Sequence, residues 1–168
     1  MFQRCYYITM TLTLESIQLT ADDLKDVAAR HASAQELYSL TSPRPPVAQF
    51  GWRDRWWLNH TAAQQVAINY WFFESHDEAC TAADEGRSRL SAKTVSKFGG
   101  HESIYQPPPN DAHGLGDVVW QAGANFLFVQ ETVVVLVAEI GGRVSEETTL
   151  RIAQMILEKI NNVVISRQ

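Results

Sequence analysis

His76, Cys80 and Asp84 recur every four residues. On a helix that spacing brings an imidazole, a thiol and a carboxylate to one face, a donor set that could hold a metal ion. A metal centre normally needs a fourth ligand and outer partners that orient the first ones, and His76 is already explained as the opening residue of a capped helix, so no metal is assigned. A second group, His101, Glu102, Asp111, His113 and Asp117, falls in a stretch rich in glycine and proline, where imidazole and carboxylate could meet as an acid/base pair or a weak cation site. Exposed loops carry such residues in any case. The third group is aromatic: Trp52, Trp56, Trp57, Tyr70, Trp71, Phe72 and Phe73. Strand alternation sends Trp56 and Trp57 to opposite faces, and likewise Trp71 and Phe72, so one side joins a core while the other meets a helix, a partner subunit or a ligand. Arg53 and Arg55 flank these rings and would suit an amphipathic anionic ligand or a dimer partner. The expected contact residues are Trp52, Arg53, Arg55, Trp56, Trp57 and Trp71, with His101 and His113 from the loop.

The common catalytic signatures are missing. There is no phosphate loop, no Gly-x-Gly-x-x-Gly, no His-Glu-x-x-His and no Gly-x-Ser-x-Gly. No catalytic residue and no cofactor is assigned. Asn59-His60-Thr61 is formally a glycosylation acceptor, a triplet common by chance.

The elements that must position these residues can be read in order. Ile8, Met10, Leu12 and Leu14 alternate as a half-buried strand would, which makes residues 1–18 an edge strand or a flexible N-terminus. Thr20 followed by Asp22 and Asp23 predicts a capped helix to about His31, with a further helical turn from Gln35 to Leu40 stopped by Pro43, Pro45 and Pro46. Segments 47–60 and 63–74 predict a hairpin. Ser75 and Glu78 form a capping box that opens a helix with a small-residue stripe, Ala79, Ala82, Ala83 and Gly86. Residues 99–117 predict an irregular excursion holding a short extended piece at Ser103 to Gln106. Strands follow at 118–121, 125–130 and 132–140, the last so continuously apolar that it belongs in mid-sheet, covered on both faces or nearly so. Ser145 caps a final amphipathic helix. These elements predict an α+β fold: an antiparallel sheet of about five or six strands with helices packed mainly on one face.

The chain has 168 residues, 45% hydrophobic and 20% charged, which suits one globular domain over residues 1–168. Fourteen Lys and Arg against nineteen Asp and Glu leave a net charge of −5, so no cationic field gathers nucleic acid. Thr9, Thr11, Thr13 and Glu15 interrupt the first apolar run, so neither a membrane helix nor a signal-peptide core is encoded there. The compartment is left open with a cytoplasmic lean, and an envelope location applies if a leader was removed. Two cysteines, Cys5 and Cys80, are too few for a disulfide framework.

Leu19-Thr20-Ala21-Asp22-Asp23-Leu24, a hairpin feeding a capped helix, and Gly114-Leu115-Gly116-Asp117 ahead of an apolar hairpin and a last helix together resemble bacterial envelope sensor and lipoprotein domains. They are similar to the extracellular sensor domains of some mycobacterial serine/threonine kinases and, more distantly, to the P-subunit fold of the oxygen-evolving complex. The resemblance spans about residues 19–161 and implies ligand sensing or protein interaction without catalysis. The chain departs from those kinase domains in lacking their paired disulfides, and it has no lipobox ahead of Cys5. Three functions follow as expectations: a non-enzymatic binding or sensing module for a small amphipathic ligand or protein partner, a structural homodimer with the hairpin aromatics buried between subunits, or a small enzyme or metal protein built on the 99–117 histidines and carboxylates.

Overall fold

The computed structural model describes residues 12–98, 105–107 and 114–166, with backbone alone over 91–98. Leu14–Ile17 forms a single helical turn, α1. The strand expected over this stretch is therefore not what its described part forms, and Ile8 and Met10 lie outside the described residues. Local bonds explain the change: the Ser16 hydroxyl accepts from the Thr13 N–H at 3.2 Å and donates to the Thr13 carbonyl at 2.7 Å, which closes the turn.

Thr20 and Asp23 bond each other as a helix start would, with the Asp23 carboxylate accepting from the Thr20 N–H at 2.7 Å. The helix predicted beyond them does not form. A 3₁₀ turn, Lys25–Val27, ends at Ala28 with φ of +45°, and residues 30–36 become strand β1, Arg30–Glu36. The predicted turn from Gln35 to Leu40 is likewise displaced. Pairing with the neighbouring strand supplies backbone bonds that a short, weakly helical segment cannot match by propensity alone.

The hairpin is as expected: β2, Phe50–Leu58, pairs with β3, Thr61–Phe72, across a tight turn in which Asn59 and His60 take φ of +51° and +56°. Helix α2, His76–Phe98, begins with half of the predicted capping box. The Ser75 hydroxyl accepts from the Glu78 N–H at 3.2 Å, while the Glu78 carboxylate reaches back one residue further than a box requires, to the Glu74 N–H. Strands β4, Val118–Ala122, β5, Asn125–Gln130, and β6, Val133–Ile140, precede α3, Glu146–Ile165, whose N-cap Ser145 accepts from the Thr148 N–H. The described part of the extended piece in the 99–117 excursion is an isolated bridge of Gln106 to Gln121.

The sheet is antiparallel throughout, in the order β1-β2-β3-β6-β5-β4, giving the α+β architecture. Alternation divides its apolar residues between two cores. Ile68, Tyr70, Phe126, Phe128, Val135 and Val137 face Ile17 of α1 and Ile152, Ile156 and Ile160 of α3. Trp71, Leu127, Val129, Val134 and Leu136 face the alanine stripe of α2. Among the described residues three of the four helical pieces thus share one face and α2 takes the other, because alternate residues of β5 and β6 are apolar on both sides and each side must be covered. Gly86, a weak point for helix propensity, serves close packing: a Cβ there would collide with Leu40. Among the described residues no helix is long and apolar enough to cross a membrane.

Candidate functional site

Strand β2 reads Phe-Gly-Trp-Arg-Asp-Arg-Trp-Trp-Leu, so alternation gives it two chemically different faces. Trp52, Asp54, Trp56 and Leu58 turn toward the α3 core, where Trp56 and Leu58 are buried and Trp52 packs at the edge. Asp54 is 1% exposed, a carboxylate among indoles. Three donors hold it: Gln18 Nε2 at 2.6 Å, His31 Nε2 at 3.0 Å and Trp52 Nε1 at 3.2 Å. A buried carboxylate with its lone pairs filled is tolerable where a bare one is not. His31 sits on β1 opposite Trp56, with its ring edge-on to the indole at 4.8 Å. Beside this hub the Tyr70 hydroxyl is buried and approaches the Leu19 backbone without reaching hydrogen-bond geometry. Burial first, then the charge of Asp54, push the Tyr70 phenol far above its ordinary value, so it stays protonated.

The opposite face carries Arg53, Arg55 and Trp57. Arg53 is half-buried and donates from Nε to Asn69 Oδ1 at 2.6 Å. Burial first, and then the positive charge of Arg55, lower the Arg53 guanidinium below its usual value. Arg55 is exposed, and Trp57 is half-buried with the Arg30 guanidinium 5.7 Å from its ring centroid. Among the described residues the ion pairs engage none of Arg30, Arg53 and Arg55. The register explains their gathering: Arg30 pairs with Trp57, Ser33 with Arg55 and Gln35 with Arg53. These β1 side chains are all exposed, whereas α2 lies against β5 and β6 further along the sheet.

The expected contact residues therefore separate. Arg53, Arg55 and Trp57 lie together on one face, and Trp52 is half-buried on the other. Trp56, 4% exposed, and Trp71, 5% exposed, are enclosed by their own chain and offer no surface to a second molecule. Trp71 packs on the α2 core and donates from Nε1 to the Tyr38 carbonyl at 3.0 Å. That enclosure also removes Trp56 and Trp71 from any subunit contact of the homodimer reading. His101 and His113 lie outside the described residues, as do Glu102 and Asp111. Of the helical stripe, His76 and Cys80 come together, with Nε2 and Sγ 3.5 Å apart, while Asp84 is bonded to Arg87. Among the described residues no group of three or more His, Cys, Asp or Glu side chains is placed to hold a metal.

Asp54, His31 and Arg30 were not among the residues the sequence nominated. The signal for Asp54 was available: Trp-x-Asp-x-Trp on a strand places the carboxylate between two indoles on one face. His31 and Arg30 required the β1 register, which the predicted helix concealed.

The chain matches no protein-family model, and no curated protein matches it at a significant level.

Proposed function

We propose that this protein is a non-enzymatic binding module that takes an amphipathic anion on the open face of β1 and β2. The observation that carries the reading is a guanidinium pair, Arg53 and Arg55, with no carboxylate partner among the described residues, set beside Trp57 in a chain of net charge −5. Holding like charges side by side costs energy that an incoming carboxylate or phosphate would relieve. Arg30 lies over the indole, so a ligand with an acidic head and an apolar body meets both chemistries at once. Sensing, which the resemblance to envelope sensor domains implies, adds a signalling partner to the same surface.

The test is a fluorescence titration with dodecanoate below its micellar concentration, run beside dodecanol. Dodecanoate should bind saturably and dodecanol far more weakly. The double substitution Arg53→Gln and Arg55→Gln should weaken dodecanoate by about tenfold or more, as loss of charge-assisted bonds predicts. Equal binding of acid and alcohol, or an unaffected double variant, overturns the proposal.

A further inference from the structure

His76 opens α2 and Cys80 stands one turn further on, so both side chains leave the helix on the same side. The His76 ring is oriented from outside the helix: Nδ1 lies 2.8 Å from the carbonyl oxygen of Glu131, the residue that turns β5 into β6 with a φ of +54°. A carbonyl only accepts, so Nδ1 carries the hydrogen and the neutral ring presents the lone pair of Nε2. That lone pair faces the Cys80 sulfur at 3.5 Å, and the carboxylate of Asp117 lies 3.8 Å from Nδ1. Among the described residues Cys80 is a free thiol, half-buried at the margin of the α2 core. Burial first, then the charges of Asp117 and Asp77, raise its thiol above the ordinary value. At neutral pH the sulfur therefore holds its proton, and it becomes a nucleophile when a neighbouring base removes it.

We propose that Cys80, with His76 as its proton acceptor, is a thiol-exchange site for low-molecular-weight disulfides, cationic ones in preference to anionic ones. The Cys80 sulfur attacks one sulfur of the disulfide as its proton passes to His76 Nε2. The disulfide bond breaks, its electron pair leaves on the departing thiolate, and the imidazolium returns the proton to that thiolate. Cys80 ends oxidised in a mixed disulfide, and half of the reagent ends reduced as a free thiol. Asp117 steadies the imidazolium, and with Asp77 it draws cations toward the sulfur and repels anions. The site is remote in sequence and chemistry from the arginine face and does not depend on it.

The test incubates the full-length protein at pH 7 with cystamine or with dithiodipropionate and reads the adduct by mass on the peptide containing Cys80, which separates it from Cys5. Cystamine should react about tenfold faster than the dianionic reagent, as local charge steering predicts. His76→Gln should slow cystamine by about tenfold or more, the lower range of general-base effects. Asp77→Asn with Asp117→Asn should narrow the difference between reagents. Equal rates for the two disulfides with the native protein, or a His76→Gln protein that keeps its melting temperature and its cystamine rate, overturns the proposal. Should His76→Gln fail to fold, His76→Asn and the native rate ratio decide.

Discussion

Strands β5 and β6 and strands β1 and β2 are both antiparallel pairs held by the same backbone bonds, yet they are ordered by different physics. From Val133 to Val137 every residue of β6 is buried, and Phe126 to Val129 of β5 are fully enclosed, with α3 on one side and α2 on the other. Every residue of β1 is exposed. Apart from its ladder, β1 is tied to the body by His31 reaching the buried Asp54, which Gln18 also grips from the segment after α1, and by the ring contacts of His31 on Trp56 and Arg30 on Trp57. The inner pair is held by area removed from water on both faces; the outer pair has one buried face, that of Trp56 and Leu58 on β2, with a buried charge set into it that must be kept company. On the other face of the outer pair Arg55 is exposed and Arg53 half-buried, because no apolar stripe there demands a helix.

The largest test of this contrast is Phe128→Ala. Removing a fully buried ring from the inner pair should cost about 3–5 kcal/mol in urea unfolding, and amide protection should fall across all six strands together. Asp54→Ala should cost about 2–3 kcal/mol, because Gln18, His31 and Trp52 each lose an acceptor. Its signature is local: amides of β1 should exchange faster while those of β5 and β6 change little beyond the global shift. A uniform loss of protection in Asp54→Ala would mean that the outer pair is no separate unit. The smallest effect concerns Asp23, whose own burial would raise its pKa but whose bonds from Thr20 and Lys159 outweigh that and leave the carboxyl below 3.8. A lowered folded value stabilises above the unfolded value and is lost as pH falls through the folded one. Asp23→Asn should therefore cost about 0.5–1 kcal/mol at pH 7, and the difference should shrink as pH falls below 3.8, measured as paired melting temperatures.

The same contrast decides what could be read from the residues alone. Where burial on both sides writes a continuous apolar run, as in Val133 to Ile140, the strand and its central place were legible. The Ser145 cap was legible because its bonds are local. Strand β1 was not, since Arg-His-Ala-Ser-Ala-Gln-Glu has no apolar period and its conformation is imposed by β2 across a distant register. Arg53, Arg55 and Trp57 were nominated from composition and alternation. Their sorting from Trp56 and Trp71 depended on which face α2 and the connector through Tyr38 would close. Asp54 looked like one charge among three because its acceptor role depends on Gln18, thirty-six positions away.

Ile17, Leu19 and Leu24 share their core with Ile152, Ile156 and Ile160, and Lys159 and Arg151 reach back to Asp23 and Asp26. During synthesis the early segment would emerge long before the helix that shelters it. Until residues 152–160 clear the ribosome, that core lacks one wall, so the nascent chain carries a greasy, unfinished flank that a chaperone could hold.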